Sequence, residues 1–244
     1  MTARLRREDA DGLAILTLTR PEKLNALDTQ FFEELDGHLA VLEGQTADIG
    51  CVLLRGEGRA FCAGADLGSF GSAPVDRRFK PGVIERLACL PQPSIAAVHG
   101  VCFTGGLELA LACDFIVADE TARFADTHGK WGFVGEWGMI QRLPRKIGAS
   151  AAKRMMLTGC TVEAAEAQRL GLADVMAGAE GLQATASGLA RTILSQSWHT
   201  NLATKRLMRE TDGMSLADAL AHESYRFPGF APDHQERIAR FKAK

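Results

Sequence analysis

Two glycine-rich turns, "GEGRAFCAGADLGSFG" at 56–71 and "TGG" at 104–106, each follow an apolar run and leave main-chain N–H groups with little side chain to cover them. Donors aimed from two such turns into one cleft can hold a carbonyl oxygen as negative charge develops on it. Losing one of the pair then costs about 10²–10³ in rate. Each turn reads equally as an ordinary tight connection from strand to helix. Glu108, in "TGGLELALACD", sits near the start of an apolar helix, where exposed N–H groups favour a carboxylate. It could be a simple first-turn acid. Its neighbours Leu107, Leu109 and Ala110 are apolar, however, and glutamate is rarely buried without a task. A partly buried carboxylate beside two such donors suits proton abstraction next to a carbonyl.

Other chemistries lack their motifs. There is no GxxxxGK[ST] loop and no strand-linked GxGxxG to cradle phosphates, and no GxSxG elbow for a serine nucleophile. HExxH is absent and the six histidines are scattered, which gives a metal site no support.

The elements that must carry these turns follow from periodicity. Residues 13–19, 49–54 and 93–100 read as strands, the first by alternation of apolar and polar residues and the second as a buried run. Asp28 is a good N-cap for a helix over "TQFFEELDGHLAVLE", and another helix is expected over 82–90. "DFIVADETARFAD" gives two short strands, and from about Gly138 the pattern turns helical. Strand–helix alternation predicts α/β packing with at least partly parallel strands. A soft boundary divides an α/β core over 1–190 from a helical region over 191–244.

The 244 residues suffice for a sizeable core, and 46% apolar with 24% charged residues is globular composition. A net charge of −2 offers no field for nucleic acid. No run approaches the roughly 18 apolar residues of a membrane span, and the N-terminus does not read as a secretory signal. Cysteines 51, 62, 89, 102, 113 and 160 form no CxxC pair and read as reduced thiols of a cytoplasmic protein.

The ordered set "RPEKLNAL", "FCAGADL", "PSIAAVHGVCFTGGLELALACDFIVAD", "FADTHGKWG", "QRLPRKIG", "MMLTG", "EAQRLGLAD" and "ATKRLM" resembles the enoyl-CoA hydratase/isomerase (crotonase) superfamily over nearly the whole chain. The resemblance implies a crotonase-like spiral of repeated ββα units followed by a C-terminal helical trimerisation region. It also implies acyl-CoA chemistry through a stabilised thioester enolate. Coenzyme A then enters as part of the substrate, with no separate cofactor and no metal. By position the oxyanion donors are the N–H groups of Ala65 and Gly105. Ala63, Gly64 and Asp66 pass near the adenine end of CoA, and Lys23 is placed to meet its phosphates. Phe241 and Lys244 match a segment that reaches a neighbouring subunit's CoA, in a homotrimer or dimer of trimers. Surface charge alone accounts equally for both lysines.

The chain departs from this pattern at two positions. The hydratase pattern flanks one water with two glutamates. The first is matched by Glu108, but the second falls on His128, which can serve as base or acid near neutral pH. Eight residues on, where relatives usually have glycine, stands Glu136; dienoyl-CoA isomerases and an aryl-CoA dehalogenase carry a working carboxylate there. The expected catalytic set is therefore Glu108, His128 and Glu136, with Glu136 a candidate to orient His128. Glu136 reads also as a helix-capping acid and His128 as a packed histidine, while Trp131 and Trp137 are expected to wall the acyl pocket. Hydration of a trans-2-enoyl-CoA is the leading expectation. The alternatives are isomerisation, hydrolysis of a thioester or β-diketone, and a catalytically weak acyl-CoA-binding protein.

Overall fold

The computed structural model of the chain describes residues 3–69, 76–178 and 180–243. Its strands and helices, in order, are β1 (Leu5–Ala10), β2 (Leu13–Leu18), α1 (Thr29–Gly44), β3 (Cys51–Gly56), α2 (Phe79–Ala88), β4 (Ser94–Val98), β5 (Val101–Phe103) and α3 (Gly105–Leu111). There follow β6 (Phe115–Ala118), β7 (Arg123–Ala125), α4 (His128–Trp131), α5 (Met139–Ile147), α6 (Ala149–Thr158), β8 (Val162–Glu163), α7 (Ala164–Leu170) and β9 (Val175–Met176). The chain ends in α8 (Leu182–Ser195), α9 (Trp198–Glu210), α10 (Leu216–Tyr225) and α11 (His234–Lys242).

The larger sheet runs β1-β2-β3-β4-β6-β9, with every pairing parallel except the β1–β2 hairpin. Both of its faces are covered, which is why "CVLL" and "SIAAV" are continuous apolar runs rather than alternating ones. Val52, Leu54, Ala96 and Val98 face the main core with α1, α2 and α3, while Cys51, Leu53, Ile95 and Ala97 face α8 through Ala186 and Ala190. Residue 190, the expected boundary, lies inside α8.

The smaller sheet, β5-β7-β8, is built from the same excursions of the chain. After each central strand the chain crosses to this second layer before forming a helix. β3 is followed by a bridge at Cys62 onto Cys102, β4 by β5 and α3, and β6 by β7 and α4. Successive turns stack in parallel, so the first residues after each second-layer strand lie side by side. That stacking brings the two glycine turns together.

Two elements differ from the sequence expectations. β1, which the sequence expectations do not include, is an edge strand that buries Leu5 and exposes most of the rest. Its hairpin turns at Asp11 and Gly12, both with positive φ. Helix α2 starts at Phe79 rather than 82, because Pro81 sits in its first turn, where no N–H partner is lost.

Candidate active site

The "AGAD" loop is fixed by main-chain bonds before any side chain contributes. Ala63 N donates to Leu24 O (2.9 Å), Leu27 N to Gly64 O (2.8 Å) and Asp66 N to Leu27 O (2.9 Å). In this ladder the Ala65 N–H faces away from Leu27. Gly64 takes φ +106°, and a Cβ there would meet Phe103 O at 3.0 Å and Gly105 N at 3.4 Å, so only glycine allows the two turns to approach. The second turn is held by Thr104, a β-branched residue at φ 53°, ψ −113°. Such a conformation costs about 1–3 kcal/mol. It is sustained by Thr104 N donating to Ala125 O (2.8 Å) and by a Thr104 Oγ1–Thr127 Oγ1 bond of 2.5 Å. A Cβ on Gly105 would lie 3.3 Å from Ala65 N. Among the described residues, neither Ala65 N–H nor Gly105 N–H donates to a protein acceptor.

Both donors open into a cavity of about 450 Å³ lined also by Glu108, His128, Glu136, Trp131 and Trp137. Glu108 is 1% exposed. Its Oε1 accepts from Trp137 N (2.9 Å) and Met139 N (3.1 Å), which leaves Oε2 to face His128 Nε2 at 3.8 Å. Burial raises the Glu108 carboxyl above its usual value, against the opposing pull of those two N–H groups and of His128. For His128 burial pulls the other way, but the bond to Asp126 and the charges of Asp126, Glu108 and Glu136 outweigh it. The imidazole is raised.

The carboxylate that binds His128 is Asp126, not Glu136. Asp126 Oδ1 lies 2.6 Å from His128 Nδ1 and also accepts from His128 N at 3.0 Å. Asp126 is only 4% exposed and went unnoticed in the sequence, although "FADTHG" sets the two residues at i and i+2 after a strand. Glu136 lines the cavity rim but is half-exposed, and its Oε2 accepts from Arg77 at 3.1 Å. Trp137 packs over Gly105 and meets Phe32 edge-on with ring centroids 4.9 Å apart. Trp131 stands exposed at the rim.

The CoA-contact candidates are distributed differently. Ala63 lines the cavity and Gly64 forms the turn behind it. The Asp66 carboxylate is committed to Arg20 at 2.6 Å, and Arg20 also reaches Asp28 at 3.2 Å. Burial would raise the Asp66 carboxyl, but Arg20 and the Gly68 N–H hold it below its usual range. Lys23 is exposed at the end of the 3-10 turn Pro21–Lys23, on the segment that pairs with the loop. Phe241 is 81% exposed on α11, and is not among the residues lining the cavity. Lys244 lies outside the described residues. Among those residues no group of three or more His, Cys, Asp or Glu is arranged to hold a metal ion.

A family model described as "Enoyl-CoA hydratase/isomerase" matches residues 8–244. A Rhizobium meliloti protein named "Probable enoyl-CoA hydratase" is 36% identical over 97% of this chain and 94% of its own length. The Escherichia coli protein named "1,2-epoxyphenylacetyl-CoA isomerase" is 34% identical, covering 96% of this chain and 93% of that one. The crystal structure titled as an enoyl-CoA hydratase from Bacillus anthracis superposes with a TM-score of 0.92 at 30% identity, over 98% of this chain and 96% of that one.

Proposed function

The chain belongs to the enoyl-CoA hydratase/isomerase family, and we propose that within it the protein hydrates a trans-2-enoyl-CoA through an enolate of the thioester. The thioester oxygen takes the free N–H groups of Ala65 and Gly105. Water attacks the β-carbon as His128 Nε2 removes its proton, and the π electrons pass to the thioester oxygen. Glu108, whose burial favours the protonated carboxyl, then delivers a proton from Oε2 to the α-carbon. CoA enters as part of the substrate.

The observation that carries this reading is the 3.8 Å between Glu108 Oε2 and His128 Nε2. The gap is too long for a good direct bond, and a water about 2.8 Å from each atom would bridge it. A base and an acid would then flank a single water, beneath two donors fixed for the oxyanion.

A second reading, isomerisation, is supported by Glu136 on the cavity rim and by the isomerase among the relatives. The test is mass spectrometry of crotonyl-CoA, a longer trans-2-enoyl-CoA, a 3-enoyl-CoA and a saturated acyl-CoA incubated with the protein in D₂O. Gain of water plus deuterium on the 2-enoyl substrates, lost in His128→Ala, is expected. Isomerised 3-enoyl-CoA that persists in His128→Ala selects the second reading. Free acid alone indicates a hydrolase, and bound thioester without exchange indicates a binding protein.

The proposal extends to assembly. The C-terminal helices and the connection between α10 and α11 expose Met208, Leu220, Tyr225, Phe227, Phe230 and Phe241. This much apolar surface supports a homotrimer, or a dimer of trimers, in which Phe241 meets a neighbouring subunit's CoA. Lys23 and Lys244 are proposed for the CoA phosphates, with Ala63, Gly64 and Asp66 shaping the adenine side. A cytoplasmic setting is supported by six free cysteines, four of them buried. No helix among the described residues is long and apolar enough to cross a membrane.

A further inference from the structure

We propose that Asp126 is a positioning residue for the reaction. It holds His128 Nδ1–H and the His128 main chain with one carboxylate oxygen, and so turns Nε2 toward Glu108 and the cavity. The inference rests on the hydration reading for its chemistry and on geometry for the placement.

Three contacts fix the ring. Asp126 Oδ1 accepts from both the ring and the backbone of His128, at 2.6 and 3.0 Å, which sets the imidazole relative to its own main chain. From the other side Gly135 closes on the ring so tightly that a Cβ there would lie 3.0 Å from His128 Cε1 and 3.2 Å from Nδ1. Glu108 Oε2 faces Nε2. Among the described residues no Arg or Lys pairs with Asp126, so no cation competes with His128 for its carboxylate, whose charge is also felt by Glu108. Glu136, from the loop before α5, also faces the imidazole electrostatically but shares its charge with Arg77. The cation nearest in sequence is Lys130, which is exposed on α4.

The chemical consequence is a proton count. With Nδ1–H bound to Asp126, neutral His128 presents its lone pair at Nε2. When water's O–H breaks and its oxygen bonds the β-carbon, the proton lands on Nε2, and Asp126 stabilises the imidazolium. Glu108 gives up its proton to the α-carbon and becomes anionic. One proton must then pass from Nε2–H to Oε2 to restore the starting state. The pair therefore works with one proton shared between its two members, and rate falls off on both sides of that state. The alkaline limb reports loss of that shared proton from the pair, and Asp126, by stabilising the imidazolium, raises the pH at which the pair gives it up.

The test is Asp126→Asn with Asp126→Glu, each checked for an unchanged thermal midpoint. For Asp126→Asn, kcat is expected to fall about 10²–10⁴. KM should stay within a few fold, and the alkaline limb of kcat/KM should move to lower pH, with Asp126→Glu restoring part of both. Long-range ¹H–¹⁵N NMR of the unliganded wild type should show neutral His128 protonated at Nδ1 and titrating higher than in Asp126→Asn. Wild-type kcat and an unmoved alkaline limb in Asp126→Asn, or a neutral His128 protonated at Nε2, would overturn the proposal. If the wild type hydrates no enoyl-CoA, the proposed function fails, while the NMR result decides the positioning role by itself.

Discussion

Replacing Glu108 by glutamine separates what the site does from what it costs the fold. The amide oxygen can take over Oε1's acceptance from Trp137 N and Met139 N, each bond contributing about 0.5–1.5 kcal/mol, so the loop before α5 keeps its anchor. What disappears is a buried acid whose pKa is raised by desolvation. Unfolded, a glutamate titrates near ~4.3. Folded, it holds its proton to higher pH, so its contribution to stability is fullest below the unfolded pKa and is lost as pH rises through the folded one. Glutamine loses nothing along that path. The melting temperature of Glu108→Gln should therefore match wild type most closely near pH 4, exceed it increasingly as pH rises, and then level off. Each unit by which the pKa is raised corresponds to about 1.4 kcal/mol, or about 3–6 °C for a chain of this size. Hydration and α-proton exchange should fall about 10²–10⁴ in the same variant. The assay is thermal unfolding between pH 4 and 8 beside turnover of crotonyl-CoA. A variant that is less stable than wild type at pH 8, or that retains wild-type exchange, would refute the reasoning.

Two further substitutions probe the walls of the cavity. In Gly105→Ala the new methyl would lie 2.5 Å from a Trp137 ring carbon, so the indole must shift against Phe32; this overpacking should cost about 1–3 kcal/mol and lower kcat more than it raises KM, read by thermal unfolding and steady-state kinetics. In Glu136→Gln the ion pair with Arg77 is largely solvated, with side chains 46% and 87% exposed, so the melting temperature should hardly move. Hydration by Glu136→Gln should remain within a few fold of wild type; its collapse would show that Glu136 acts in the chemistry.

The glycine turns, Glu108 and the buried strands were legible because each leaves a local signature. A glycine cluster marks a close approach of the backbone, an isolated acid in an apolar helix marks a task, and an unbroken apolar run marks a strand covered on both faces. His128 and Glu136 became visible only against a pattern, and their mutual geometry did not. Asp126 was missed because a short Asp before a Thr reads as loop chemistry. What draws notice to it is burial, at 4% exposure, and burial is settled by tertiary packing. β1 was missed because an edge strand needs only one apolar anchor, Leu5, and four of its five remaining residues, Arg6 to Asp9, carry the charge that protects the edge. The "DG" at its end was a hairpin signal that went unused. Arg20 illustrates the remaining gap: nothing local links it to Asp66, yet the pair ties the oxyanion loop to the N-cap of α1 through Asp28.

The two N–H groups proposed to hold the thioester oxygen come from different turns of the spiral, one after β3 and the other after β5. Neither turn can make the hole alone, and their spacing is set by parallel stacking between segments distant in the chain. In folding, such non-local pairings close late, after local helices have formed. On the proposed site, catalytic competence is expected to return only after these non-local pairings have closed. Returning activity in a refolding experiment should therefore lag the recovery of helical content.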